Sequence, residues 1–282
     1  MNKKISQPVL DHRCACGAPV GVEVTPERKL LTRWGEVAIY RCPECGLAQD
    51  AHFPTSKQVR EMYATTGIYH ALTDEQFQTL EKNFHHVVED LARVGVRKGK
   101  VLEIGCNAGY ALTVLRRAGF EVQGVEMNED TRQEAVEQYE IPTVATLEDL
   151  PAGQRYDVVL LSHVLEHIPE VAGFLDALHE RLVPGGVLFV KVPNYGSIFA
   201  RYIAKGRWHS YLPLQHQWYF EKATLKGLLQ RHGFEPLTVY TREFLSSNGA
   251  PLYKKVVRGA FSLLEKTLDS GQELVGIFRK AD

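Results

Sequence analysis

From residue 99 onward, apolar and polar positions switch between two periods. Continuous apolar runs such as Val158-Val159-Leu160-Leu161 and Val187-Leu188-Phe189-Val190 read as strands buried on both faces of a parallel sheet. The predicted strands are Lys100–Ile104, Glu121–Glu126, Thr143–Ala145, Asp157–Leu161 and Val187–Val192. Helical spacing fills most gaps between them, over Tyr110–Ala118, Glu129–Tyr139 and Val171–Leu182. This alternation predicts a doubly wound α/β domain. A helix over Asp74–Val94 precedes it, with Phe77, Leu80, Phe84, Val87, Val88 and Leu91 on one face and a capping-box pattern from Thr73 to Gln76. After it come a helix over Lys222–His232 and extended runs at Pro236–Thr241 and Glu273–Arg279, which flank a helix near Leu252–Thr267. The first 60 residues are different: cysteine-rich, with short β-prone pieces at Val20–Val24 and Glu36–Tyr40.

Composition adds little until charge is read by segment. The 282 residues carry a net charge of −1, which excludes a wholly basic nucleic-acid coat and an acidic tail protein. That value hides +3 over residues 1–60, −10 over 61–194, +7 over 195–260 and −1 over 261–282. An anionic partner is therefore expected to meet residues 195–260. No apolar run approaches the ~18 residues of a membrane span. The polar start lacks the apolar centre of a signal peptide. The expectation is a cytoplasmic protein without a membrane segment, in which cysteines serve as metal ligands or core residues and not as disulfides.

The most informative stretch is Val101-Leu-Glu-Ile-Gly-Cys-Asn-Ala-Gly-Tyr110. A buried strand leads into a glycine turn that opens a helix, and Gly105 and Gly109 let the backbone approach a ligand closely. A nicotinamide fingerprint would need glycine at 107 and 110, where this chain has Asn107 and Tyr110. The spacing E-x-G-x-x-x-G from Glu103, with Glu126 ending the next strand, resembles the first motif of class I S-adenosylmethionine-dependent methyltransferases. Thr146–Pro151, Tyr156–His163, the Leu182-Val-Pro-Gly-Gly-Val-Leu188 turn and His216–Phe234 resemble that family's later loops and strands. The resemblance covers roughly residues 98–240. It implies a Rossmann-like sheet of seven strands, the last antiparallel, with a small N-terminal zinc module. It also implies cofactor-binding roles for Glu103, Gly105, Cys106, Asn107, Gly109, Glu126, Met127, Leu147, Ser162 and His163. Cys106 reads as a small residue filling space in the loop.

Two clusters suggest metals. Cys14-x-Cys16 and Cys42-x-x-Cys45 are short knuckles followed by Gly17 and Gly46. Four thiolates from two knuckles match structural, tetrahedral zinc, which would staple a module too small for a core of its own. The second cluster is His163, Glu166 and His167, with spacing i, i+3, i+4. It matches the H-x-x-E-H string of a metallopeptidase class, but in the wrong context. It also resembles the E-x-x-E-H of small-RNA and ubiquinone-pathway O-methyltransferases, which implies a divalent metal with His216 as a further ligand. His163 stands where those families have glutamate, and imidazole favours softer metals.

The expected organisation is a zinc module over 1–60, a linking helical segment over 61–97 and a methyltransferase domain over 98–282. Residues 195–220, with Arg201, Lys205, Arg207, Trp208, His209, Tyr211 and Trp218, are expected to cover the substrate. Cations there would take an anion and rings would stack on it. Methyl transfer to a hydroxyl or carbon needs a proton acceptor, for which His163, then His216 and His167, are the candidates. The expected acceptor is a small anionic metabolite such as a nucleotide-linked sugar or a polysaccharide or secondary-metabolite precursor. The alternative is RNA, held by the zinc module and the basic segment.

Overall fold

The computed structural model describes residues 14–18, 28–32, 35–50, 54–65, 74–204, 207–212, 215–243 and 262–281. The elements, in chain order, are β1 (Arg28–Thr32), β2 (Gly35–Arg41), β3 (Ala48–Asp50), α1 (Ser56–Thr65), α2 (Asp74–Arg93), β4 (Lys100–Ile104), α3 (Tyr110–Arg117), β5 (Glu121–Val125), α4 (Glu129–Glu137) and β6 (Thr143–Val144). They continue with β7 (Tyr156–Ser162), α5 (Val171–Arg181), β8 (Leu182–Pro193), β9 (Trp218–Tyr219), α6 (Lys222–Arg231), β10 (Phe234–Arg242) and β11 (Glu273–Lys280). The expected piece at Val20–Val24 lies outside the described residues, as do Thr73 and residues 252–261 of the expected Leu252–Thr267 helix, whose residues 262–267 are helical.

Seven strands form one sheet in the order β10-β11-β8-β7-β4-β5-β6. β4 to β8 pair in parallel, and β11 runs antiparallel between β8 and β10. This is the seven-stranded Rossmann-like sheet, with one antiparallel strand, that the resemblance implied. Its interior strands are buried on both faces, so alternate residues feed two cores. Leu102, Val159, Leu161 and Leu188 pack with Leu175 of α5 and Leu225 of α6. Their neighbours Val101, Val158, Leu160 and Phe189 pack with Val87 and Leu91 of α2 and Leu112 and Leu115 of α3. The segment expected to link two domains thus supplies core residues to the sheet. β4 bonds to β5 on one side and β7 on the other. The chain leaves β4 in one direction and β7 in the other, which opens a crevice at their carboxyl ends.

A second, antiparallel sheet has the order β1-β2-β3-β9. Its first three strands belong to the cysteine-rich segment, while β9 belongs to the run after β8. Ala48 pairs with Tyr219 and Gln49 with Trp218. The N-terminal module is therefore hydrogen-bonded to the run between β8 and α6. No helix among the described residues is long and apolar enough to cross a membrane.

Candidate cofactor and acceptor site

The glycine loop begins where β4 ends. Gly105 has φ +68°, and a Cβ there would lie 2.7 Å from Val164 Cγ2, so the position admits only glycine without displacement. Gly109 has φ +81°, and a Cβ there would meet Ile141 at 2.9 Å. The loop is pinned to β5, with the N–H groups of Gly105 and Cys106 donating to the Val125 carbonyl at 2.8 and 3.2 Å. Cys106 is buried against Gly124, where a Cβ would strike its sulfur. Burial pushes its thiol pKa up, so it fills space as expected.

Two carboxylates flank the loop. Glu126, one residue past β5, accepts from the backbone N–H of Asn107 and of Asn128, both at 2.9 Å. One of these bonds falls on each oxygen. Glu103 is only 4% exposed, and its Oε2 is buried with no hydrogen-bond partner among the described residues. Burial raises its pKa to about 8, against the pull of Lys191. A buried, unpartnered carboxylate oxygen is costly and suits a cation. Met127 lies exposed just past Glu126. Leu147 opens the turn after β6, the neighbouring strand, and a capping box between Thr146 and Asp149 fixes that turn.

The side expected to face the acceptor is built where β7 ends. Ser162 is its last residue. His163 follows with φ +56° and donates its N–H to the Lys191 carbonyl at 2.8 Å. The expected helical face is a single 3-10 turn, Leu165–His167, because the left-handed residue ends the strand abruptly. His163 Nε2 lies 2.9 Å from Glu273 Oε1, and its Nδ1 lies 3.4 Å from Glu166 Oε1. The second contact is an ion-pair distance whose angles do not make a hydrogen bond, since both Glu166 oxygens lack such a partner. Burial opposes charge on His163, but the two carboxylates outweigh it and hold its pKa at about 9. An imidazole that keeps its proton at pH 7 is poorly suited to accept another.

His167 and His216 differ from it. His167 Nδ1 donates to the Gln215 carbonyl at 2.9 Å and His216 Nδ1 to the Ser210 carbonyl at 2.8 Å. That tautomer puts the acceptor lone pair of each ring on Nε2. Burial lowers both pKa values, that of His216 to about 3. Glu166 is fully buried. Although burial opposes its charge, the neighbouring His163 keeps its pKa down to about 2. Ligand atoms of Glu166, His167 and His216 all lie within 4.8 Å of one another. His163 stands beside this group, not in it.

In the N-terminal module, Cys14 Sγ lies 3.5 Å from Cys45 Sγ and Cys16 Sγ lies 3.7 Å from Cys42 Sγ. All four sulfurs fall within 4.8 Å of one another, and none is in a disulfide. The thiol hydrogen bond from Cys14 lowers the pKa of Cys45 to about 5, while that of Cys14 itself is pushed up.

The expected substrate cover is arranged differently from the sequence reading. Trp208, Tyr211 and Trp218 are buried, with Trp208 and Tyr211 packed against Tyr195 and the module's Ile39 and Ala48. Rings spent on packing offer no face to a ligand. Arg201 is bonded to Glu221 at 2.7 Å, and Lys205 lies outside the described residues. Arg207 and His209 are exposed. Sequence reasoning missed Glu273 and Lys191, whose signal is a charge breaking an apolar strand in Val187–Val192 and Glu273–Phe278.

Comparison with known proteins agrees with this geometry. The sequence profile of a family described as a methyltransferase domain matches residues 76–239, more than half of the 282 residues. The chain belongs to that methyltransferase family. Among curated relatives, it is 28% identical over 158 residues to a ubiquinone biosynthesis O-methyltransferase of Psychrobacter arcticus, covering 49% of this chain and 61% of the relative. It is 31% identical over 147 residues to the protein of that name from Nitrobacter winogradskyi, covering 47% and 54%. The chain thus spans less than two thirds of these relatives. Among solved structures, magnesium protoporphyrin IX methyltransferase from Synechocystis with bound SAH superposes with a TM-score of 0.53 at 16% identity, covering 80% of this chain and 99% of the other. A chain of the complex between the Haloferax volcanii Trm112 methyltransferase activator and its partner gives 0.56 at 17% identity, covering 74% and 95%. At these identities the likeness is one of fold, the class I S-adenosylmethionine-dependent methyltransferase fold.

Proposed function

We propose that this protein is an S-adenosylmethionine-dependent O-methyltransferase acting on a small, anionic, hydroxylated acceptor. The observation that carries the reading is the orphaned, buried Glu103 oxygen beside a glycine loop at the sheet's switch point. An aminoacyl ammonium satisfies that oxygen. The Glu126 carboxylate, held at the end of β5 by the Asn107 and Asn128 N–H groups, suits ribose hydroxyls, and Gly105 with Gly109 leaves room for the backbone to approach. Asn107, Cys106, Met127, Leu147 and Ser162 form the rest of the pocket. S-adenosylmethionine supplies the methyl electrophile when bound. The protein's share is alignment of the acceptor oxygen and management of its proton.

The oxygen-acceptor reading is supported by the names of the curated relatives, which describe O-methyl transfer in ubiquinone biosynthesis. Those names point away from the nucleotide-linked sugar that the sequence led us to expect. The +7 charge over residues 195–260, with exposed Arg207 and His209, supports an acidic group on the acceptor. Two neutral imidazoles and a carboxylate form a donor set suited to a divalent transition metal. Both Glu166 oxygens lack hydrogen-bond partners among the described residues, which fits such an ion. Glu166, His167 and His216 would hold such a metal, which would supply Lewis acidity. His163 holds Glu166 in place and is not the base. In the module, a Zn–S bond of ~2.3 Å gives a tetrahedral edge of ~3.8 Å, close to the sulfur separations of 3.5 and 3.7 Å, so Cys14, Cys16, Cys42 and Cys45 are assigned to structural zinc.

The test is calorimetric titration with S-adenosylhomocysteine, followed by release assays with hydroxylated aromatic acids at two salt concentrations. Saturable binding and a modest salt response are expected. Absence of binding by folded protein removes the enzyme reading. Activity on RNA that collapses with salt would replace the acceptor class.

A further inference from the structure

The four cysteines lie far from the cofactor loop in sequence, yet they connect to the acceptor side through a short run of hydrogen bonds. Cys42 and Cys45 occupy the turn between β2 and β3. Gly46 donates to the Cys42 carbonyl and Cys42 to the Leu47 carbonyl, both at 2.9 Å. Arg41 grips this turn, donating to the Gly46 carbonyl and to Glu221, each at 2.7 Å. β3 begins at Ala48, three residues after Cys45, and pairs with β9. Just before β9, the Gln217 peptide lies between the module and the acceptor cluster. Its carbonyl accepts from Asp50 N–H at 2.9 Å, and its own N–H donates to the Glu166 carbonyl at 2.8 Å. Two side chains complete the seam, His167 Nδ1 to the Gln215 carbonyl at 2.9 Å and Trp218 Nε1 to the Ile168 carbonyl at 2.7 Å. Leu47 and Trp218 are buried in one cluster with Cys14 and Cys42.

We propose that the cysteine module is a positioning element for the Glu166–His167–His216 cluster, acting through β3 and the Gln217 peptide. The coupling is local for a physical reason. The 3-10 turn at Leu165–His167 is too short to fix its own geometry, so its carbonyls and the Nδ1 of His167 are anchored on residues 215–218. Those residues in turn have β3 as their sheet neighbour. The cofactor loop is held separately, by β5 and Glu126. Loss of order at the cysteine turn should therefore loosen the acceptor cluster and spare the cofactor pocket. A Gln217 side chain is not required, because the link is the peptide itself.

This inference rests on the acceptor-side reading for its functional consequence, but its structural part is tested independently by amide hydrogen exchange. In full-length Cys45→Ser, shown by metal analysis to have lost its zinc, amides of residues 164–168 and 215–219 should exchange about tenfold faster than in the wild type. Amides of residues 103–112, and the Kd for S-adenosylhomocysteine, should stay within about twofold. Wild-type exchange rates in both acceptor segments of the zinc-free protein would overturn the proposal, as would equal loosening of residues 103–112. Arg41→Met, which keeps the four thiols, covers the case in which Cys45→Ser does not fold. It should speed exchange in the same two segments by about threefold, and unchanged rates in it count against the proposal equally. In both variants kcat should fall while KM for S-adenosylmethionine holds. If the wild type binds no S-adenosylhomocysteine, the functional reading fails while the exchange comparison still decides this one.

Discussion

Glu273 Oε1 lies 2.9 Å from Nε2 of His163, so the last strand of the sheet supports the residue that ends β7. Glu166 lies on the other side of the same imidazole. Burial opposes charge on Glu166 and Glu273, yet His163 outweighs it and holds both at about 2. His163→Ala would strand two buried carboxylates. With His163 about a third exposed, the cost should be about 2 kcal/mol, below the 3–5 typical of fully buried pairs. The sign with pH is fixed by the directions of the shifts. The His163 contribution, with its pKa raised to about 9, is complete below ~6.5 and is lost as pH rises through 9. The carboxylate contributions are present above ~4.5 and are lost as pH falls through 2. Urea midpoints of wild type and His163→Ala should differ most between about pH 5 and 6.5 and converge by pH 10. A gap that widens with alkaline pH would refute the pairing.

Gly105→Ala places a methyl 2.7 Å from Val164 at φ +68°, so both the contact and the backbone are strained. S-adenosylhomocysteine affinity should fall by about tenfold or more, since the loop must shift by a sizeable part of an ångström. Gly173→Ala is the control. It lies within α5 with nothing within 4 Å of an added Cβ, and should stabilise by about 0.5–1 kcal/mol without changing affinity. Calorimetric titration and thermal melts distinguish the two. Equal affinities for wild type and Gly105→Ala would place the cofactor elsewhere.

The buried strands could be read from sequence because parallel strands leave continuous apolar runs, and β4 matches its predicted span of Lys100–Ile104. The glycine loop was equally legible, since φ above zero selects glycine. What escaped had no periodic signal. β3 and β9 have three and two residues, too short for an alternation, and their pairing joins positions about 170 residues apart. That pairing is what joins the module to residues 218–219, and no local pattern announces it. Glu273 carries no signal of its own in sequence, since a single charge at a strand end usually means solvent. The rings of residues 195–220 are ambiguous in the same way, because sequence shows amphipathicity but not which side is buried.

Glu103 has its pKa raised to about 8 by burial, so at pH 7 most of it carries a proton in the free protein. Pairing with an ammonium requires the carboxylate. Affinity for S-adenosylmethionine should therefore rise with pH below 8, by up to about tenfold per unit. Above that it should fall, as an α-amino group with an ordinary pKa of ~7.7–8.0 loses its proton. The expected profile is a maximum near pH 8, measured as Kd by titration from pH 6 to 10. Glu103→Gln should flatten the acid limb and weaken binding about 10- to 100-fold, the worth of one charge-assisted hydrogen bond. A wild-type profile that is flat across this range would remove Glu103 from the cofactor's ammonium.

His216 decides between a proton acceptor and a metal ligand. Burial holds its pKa at about 3, several units below the range in which a general base works efficiently at neutral pH. Its Nδ1–H is committed to the Ser210 carbonyl, an orientation that leaves Nε2 for a ligand role. His216→Ala should lower manganese(II) affinity about 10- to 100-fold, as loss of a ligand or its support does. This is read from the free-ion signal in electron paramagnetic resonance. Turnover should fall with it and recover partly at high manganese, while S-adenosylhomocysteine affinity is unchanged. A base and a ligand differ on that last point of recovery, because added metal cannot replace a missing proton acceptor. Turnover lost without any change in manganese affinity would therefore restore His216 to the role of base.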